Sequence, residues 1–116
     1  MAIRQQWMAG SLVFLWFWGL LLGGIALAEA DEGGKKLYQK RCQSCHAADG
    51  TGNQQMAKRL KVSIPPVTGA ALESEDDAAI LHIITEGKGK MPGYAKTLSV
   101  EEQRQVLEYM KTLGRQ

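Results

Sequence analysis

Residues 42–46 read Cys42-Gln43-Ser44-Cys45-His46. They hold both cysteines of the 116-residue chain and one of its two histidines. Three chemistries compete for such a cluster. A Cys-x-x-Cys disulfide closes a very short loop, so it adds little stability and usually marks a redox site. A thioredoxin-like site also requires a βαβ pattern nearby, and none is visible. Zinc needs about four ligands, whereas Cys42, Cys45, His46 and His82 stand without a second Cys-x-x-Cys or a His-x3-His. The third chemistry is covalent attachment of haem. Both thiols become thioethers on the porphyrin, and the adjacent imidazole lies under the iron as proximal ligand. One helical segment turned against the ring edge supplies all three contacts, and this is the reading carried forward.

Composition supports it. Fourteen Lys and Arg oppose 12 Asp and Glu, a formal charge of +2, which excludes a basic nucleic-acid binder of the usual kind. Of the first 30 residues 21 are hydrophobic, but only 31 of the remaining 86, about 36%. All three Trp (Trp7, Trp16, Trp18) and both Phe (Phe14, Phe17) fall in the first piece, leaving Tyr38, Tyr94 and Tyr109 as the aromatics of the rest. A domain this small and this poor in large apolar side chains struggles to fill a core alone. A bulky apolar cofactor would fill it.

Residues 1–30 read as an export signal. Arg4 is the only charged side chain before Glu29, residues 12–22 are a dense apolar run, and Gly23-Gly24 interrupts it. Cleavage frames of the A-x-A type end at Ala28 and at Ala30. The rival is an uncleaved anchor, because residues 7–28 form a charge-free stretch of 22 residues. Either way residues 31–116 are expected outside the cytoplasm, in the periplasm or another exported compartment, membrane-attached only if residues 7–28 remain.

In residues 31–116 the pattern is helical, with no strictly alternating run. Ser74-Glu75-Asp76-Asp77 and Ser99-Val100-Glu101-Glu102 both look like capping boxes. The first opens a helix carrying Ala79, Ile80, Ile83 and Ile84 and stopped by Gly87. The second opens a helix with Val106, Leu107, Met110 and Leu113 along one face, ended by Gly114. A third helix is expected over 32–42, burying Leu37 and Tyr38 and exposing Lys35, Lys36, Lys40 and Arg41. Residues 49–53 form a turn, and 56–64 hold a short helix stopped by the prolines.

With these motifs the chain resembles the class I c-type cytochromes, small single-haem electron carriers, over most of residues 31–116. Met91-Pro92-Gly93-Tyr94, preceded by Gly87-Lys88-Gly89-Lys90, is similar to the family's loop bearing the second axial iron ligand. That role falls on Met91. Pro65-Pro66-Val67-Thr68-Gly69 is similar to the segment whose proline carbonyl accepts the proximal imidazole N–H, a role that falls on Pro65. Gly34 and Tyr38 resemble the family's N-terminal helix contacts, with Val106 and Tyr109 as their partners. The resemblance implies an all-α, cytochrome c-like fold of three to four short helices wrapped around one covalent haem c and its iron.

Physical chemistry agrees with Met91. A thioether favours Fe(II), Pro92 pushes Met91 out of helical conformation, and the flanking glycines let the backbone approach the ring. Met56 and Met110 read better as core filler. His82, beside Ile83 and Ile84 in a helix, is the competing sixth ligand. Tyr94 either packs beside the haem or bonds a propionate. Two strong axial ligands leave the iron closed, so electron transfer rather than enzymatic turnover is expected. The expected form is a monomer. Lys88, Lys90 and Lys96 bracket the Met91 loop, the setting for an acidic redox partner. Two alternatives stand beside the carrier. One is a haem-bearing subunit or anchored module of a larger dehydrogenase or oxidase complex. The other is a haem sensor with a labile sixth ligand.

Overall fold

The computed structural model describes residues 25–115. The apolar run 12–22, Arg4 and Gly23-Gly24 of the expected export signal lie outside the described residues. Among the described residues six helices follow one another, α1 (Ile25–Arg41), α2 (Gln43–His46), α3 (Gln54–Leu60), α4 (Gly69–Leu72), α5 (Asp77–Glu86) and α6 (Val100–Thr112). Among the described residues the only β-type pairing is an isolated bridge between Lys88 and Met91. The all-α reading holds. Its helix count rises because α2 and α4 are single turns.

α1 crosses α6, and small residues set how closely. A Cβ on Gly34 would lie 2.2 Å from the Gln105 carbonyl oxygen, so only glycine lets the two backbones meet there. One turn on, fully buried Tyr38 packs its ring 5.4 Å from that of Tyr109, tilted by 56°. The expected pairing of Gly34 and Tyr38 with α6 is therefore present, with Gln105 taking the contact nearest Gly34. Tyr38, Leu72, Ile84, Val106, Leu107 and Met110 form the buried cluster, with Cys42, Met91 and Tyr94 packed partly against it.

Local signals explain the helix ends, with some corrections. The Ser99 hydroxyl accepts from the Glu102 N–H while the Glu102 carboxylate accepts from the Ser99 N–H, the reciprocal box read from sequence. The helix α5 is capped by Asp76, whose carboxylate accepts from the Ala79 N–H, and not by Ser74. Ser74 sits instead in the turn that leaves α4, where the Glu75 N–H bonds the Leu72 carbonyl. Ala79 is exposed rather than core-facing, and Leu81 packs inward. α3 starts at the Asn53 cap and stops at left-handed Lys61 (φ 55°), before the prolines. α1 begins earlier than expected, at Ile25, and ends one residue before Cys42.

Candidate functional site

Residues 42–46 leave α1 through a bond from the Cys42 N–H to the Tyr38 carbonyl at 2.8 Å and fold into the single turn α2. The 49–53 turn then folds back on this segment. Gly52 N–H donates to the His46 carbonyl at 2.9 Å, Asn53 N–H to the Cys45 carbonyl at 2.8 Å, and Asn53 Nδ2 to the Ser44 carbonyl at 3.1 Å. Asp49 in turn braces Thr51 through both its N–H and its hydroxyl. A four-residue helix has no strength of its own. Here its carbonyls are held by a neighbouring loop.

Next to α2 opens a cleft of about 520 Å³, within the range of small-molecule and cofactor sites. Cys42, Cys45 and His46 line it, and so do Pro65, Met91 and Tyr94. The structure thus brings the haem-contact candidates from the sequence to one cavity, His82 excepted. Ile83, Leu60, Val62 and Ile64 supply much of the apolar lining. The last three were missed by sequence reasoning. Leu60 is the last residue of α3, and Val62 and Ile64 follow the left-handed Lys61, so no single helical or strand period marks the three as one wall. His82, the competing candidate for the sixth site, does not line the cleft and is exposed on α5.

The Met91 loop is preorganised. Lys88 and Met91 exchange both backbone hydrogen bonds at 3.0 Å, closing a tight turn. Gly87 ends α5 at φ 79°, and a Cβ there would lie 2.6 Å from the Gly93 nitrogen and from the Met91 carbonyl. The chain beyond the loop is stapled to the end of α5, with Tyr94 N–H donating to the Ile84 carbonyl and Ala95 N–H to the Thr85 carbonyl. Tyr94 hydroxyl donates to the Arg41 carbonyl at 2.8 Å, so this proton is engaged with the chain.

The titratable groups fit a haem site. Both cysteines are free, and burial together with Cys45 pushes the Cys42 thiol up to about 11, so it is a neutral S–H at pH 7. Burial lowers the His46 pKa, keeping the imidazole neutral, while the Pro65 backbone carbonyl acts in the opposite sense. No formed hydrogen bond joins the two. Among the described residues His46 Nδ1 is the buried side-chain polar atom left without a partner. A neutral imidazole with an orphaned nitrogen, two free thiols, a thioether and an apolar cleft are the donor set that a covalently held haem requires. No group of three or more His, Cys, Asp or Glu among the described residues is placed to hold a bare metal ion.

Comparison with known proteins gives a consistent family. The family model described as cytochrome c oxidase, cbb3-type, subunit III matches residues 29–110. The chain is 35% identical over 89 residues to the Cbb3-type cytochrome c oxidase subunit CcoP of Azospirillum brasilense, covering 75% of this chain and 30% of that protein. It is 33% identical over 102 residues to the cytochrome c6 of Rippkaea orientalis, covering 86% of this chain and 87% of that one. The cytochrome c6 of Leptolyngbya boryana is 34% identical over 83 residues, covering 72% and 91%. The chain spans less than a third of the oxidase subunits it matches.

Proposed function

Because the chain belongs to the c-type cytochromes, in the family of the cbb3-type oxidase subunit III domain and with cytochrome c6 among its relatives, we propose that it carries single electrons between redox partners through one covalent haem c. Cys42 and Cys45 would hold the porphyrin as thioethers, and His46 and Met91 would ligate its iron. When bound, the haem supplies reversible one-electron exchange between Fe(II) and Fe(III). The protein's part is to hold both ligands, shed water from the cleft and expose an edge. The Pro65 carbonyl, which lines the same cleft, would accept the His46 N–H once a haem is held there. Tyr94 would pack against the haem with its hydroxyl kept on the Arg41 carbonyl.

The observation that carries the reading is the convergence of Cys42, Cys45, His46 and Met91 on one apolar cleft. With two protein ligands the iron would keep no open coordination position, which supports a carrier over an enzyme. Arg41, Lys88 and Lys90 line the cleft and no acid does, which favours an acidic partner surface. Residues 1–30 are the export signal. α1 runs through both cleavage frames, yet Gly34, Leu37 and Tyr38, which pack toward the interior, all lie beyond them, so cleavage at either keeps these three residues in the chain. No helix among the described residues is long and apolar enough to cross a membrane.

A second reading is favoured by the match to the oxidase subunit, namely that this chain serves as the haem module of a larger complex. Native fractionation separates the two, since a free carrier elutes alone and a module co-elutes with its complex. The ligand assignment is tested by the ferric absorption spectrum. Wild type is expected to show the weak band at the red end that marks Met–Fe(III) coordination. Met91→Ala is expected to lose the band, lower the potential and admit small ligands to the iron while keeping haem attached. An unchanged spectrum in that variant contradicts the assignment of Met91.

A further inference from the structure

Ala47, the residue immediately after His46, has φ 64° and ψ 165°, a region of backbone space that a residue with a Cβ rarely enters. Such a conformation persists only where its surroundings enforce it. Here three hydrogen bonds do so. The Ala47 N–H donates to the Gln43 carbonyl at 2.9 Å. The Ala47 carbonyl accepts from the Tyr38 hydroxyl at 2.7 Å and from the Gly50 N–H at 3.3 Å. The shortest of the three comes from a side chain, and Tyr38 is fully buried. Packing against Tyr109 needs only an aromatic ring, which phenylalanine would supply without a hydroxyl to satisfy. The hydroxyl therefore has a task of its own.

The geometry points to Tyr38 as a positioning residue for His46, acting through the Ala47 carbonyl. Its hydroxyl holds the peptide that leaves His46 in a strained orientation and so fixes the direction from which the imidazole enters the cleft. Tyr38 is seated on the α1–α6 crossing, the most extensively packed helix pair among the described residues, while Ala47 belongs to a loop. The bond anchors the strained loop to the rigid part of the fold. This inference rests on the reading of His46 as an axial ligand.

The test uses holoprotein of the wild type, Tyr38→Phe, Ala47→Gly and the double variant. Two quantities are measured, the hyperfine-shifted His46 ring resonances in the ferric NMR spectrum and the denaturant midpoint. Tyr38→Phe is expected to displace the His46 resonances by more than their linewidth and to lower the midpoint. Adding Ala47→Gly, which adopts the same backbone without enforcement, is expected to return the resonances to their wild-type positions. Should Tyr38→Phe yield no holoprotein, recovery of holoprotein in the double variant supports the inference and its continued absence overturns it. A lowered midpoint with unmoved resonances, or displaced resonances that glycine does not restore, also overturns it. Wild-type protein without shifted His46 signals would instead remove the ligand reading on which the inference stands.

Discussion

Gln103 is the buried polar side chain of α6, 4% exposed, and its amide is spent on the segment that follows the Met91 loop. Nε2 donates to the Leu98 carbonyl at 3.0 Å, and Oε1 accepts from the Thr85 hydroxyl at the end of α5. Gln103→Leu would leave the Leu98 carbonyl unpaired, a loss of about 1–3 kcal/mol. Denaturant unfolding of the holoprotein measures it, and a loss well under 1 kcal/mol would mean that water replaces the amide. Tyr38 gives a pH signature. Burial, followed by Cys42, Tyr109 and Asp49, raises its pKa, so the folded chain holds the phenolic proton more tightly than the unfolded one. The contribution is complete below the ordinary tyrosine value of 10.0 and fades as pH climbs past it, because there the unfolded chain alone has released the proton. The midpoint should therefore fall more steeply above that pH in wild type than in Tyr38→Phe. Neither residue announces its role in the sequence. A glutamine among helix charges reads as solvated, and the Tyr38–Ala47 bond exists only once α2 has turned the chain back.

Elements were legible where their determinants are local. The Ser99–Glu102 box is made by residues three apart, and it appears as written. α5 was legible as a helix, but Ser74 and Asp76 are both competent caps, and the turn leaving α4 decides between them. α4 itself has no readable periodicity. It forms because Thr68 caps it and because the Gly69 N–H donates to the Leu113 carbonyl at 2.8 Å, a tertiary contact. Two predictions belong here. Gly34→Ala drives a methyl into the Gln105 carbonyl and should cost about 1–3 kcal/mol, read as a lowered midpoint. Lys61→Gly relieves the left-handed residue that ends α3 and should raise stability by roughly 0.5–1 kcal/mol. A neutral Lys61→Gly would show that the left-handed turn carries no strain.

Across the whole molecule, charge is arranged more tellingly than its +2 total suggests. Arg41, Lys88 and Lys90 border the cleft, whereas exposed Glu73, Glu75, Asp76 and Asp77 gather at the start of α5, with Asp77 engaged by Lys111 at 2.6 Å. Electron exchange with an acidic partner should slow as ionic strength rises. Reversing Lys88 and Lys90 to Glu should slow association on the order of tenfold at low salt. Salt-independent kinetics in both proteins would contradict the basic-rim reading. That residues 42–46 and the Met91 loop belong to one site was legible because each packs its cleft-lining residues into a short consecutive stretch. The Leu60–Ile64 wall and the positioning bonds depend on chain folding between distant segments. The claim beneath all of this is that a porphyrin is bonded to the chain at residues 42–46. Mass spectrometry of the peptide spanning Cys42 to His46, taken from natively matured protein, addresses it directly. One porphyrin joined through both sulfurs is the predicted result, and two unmodified thiols would contradict the account.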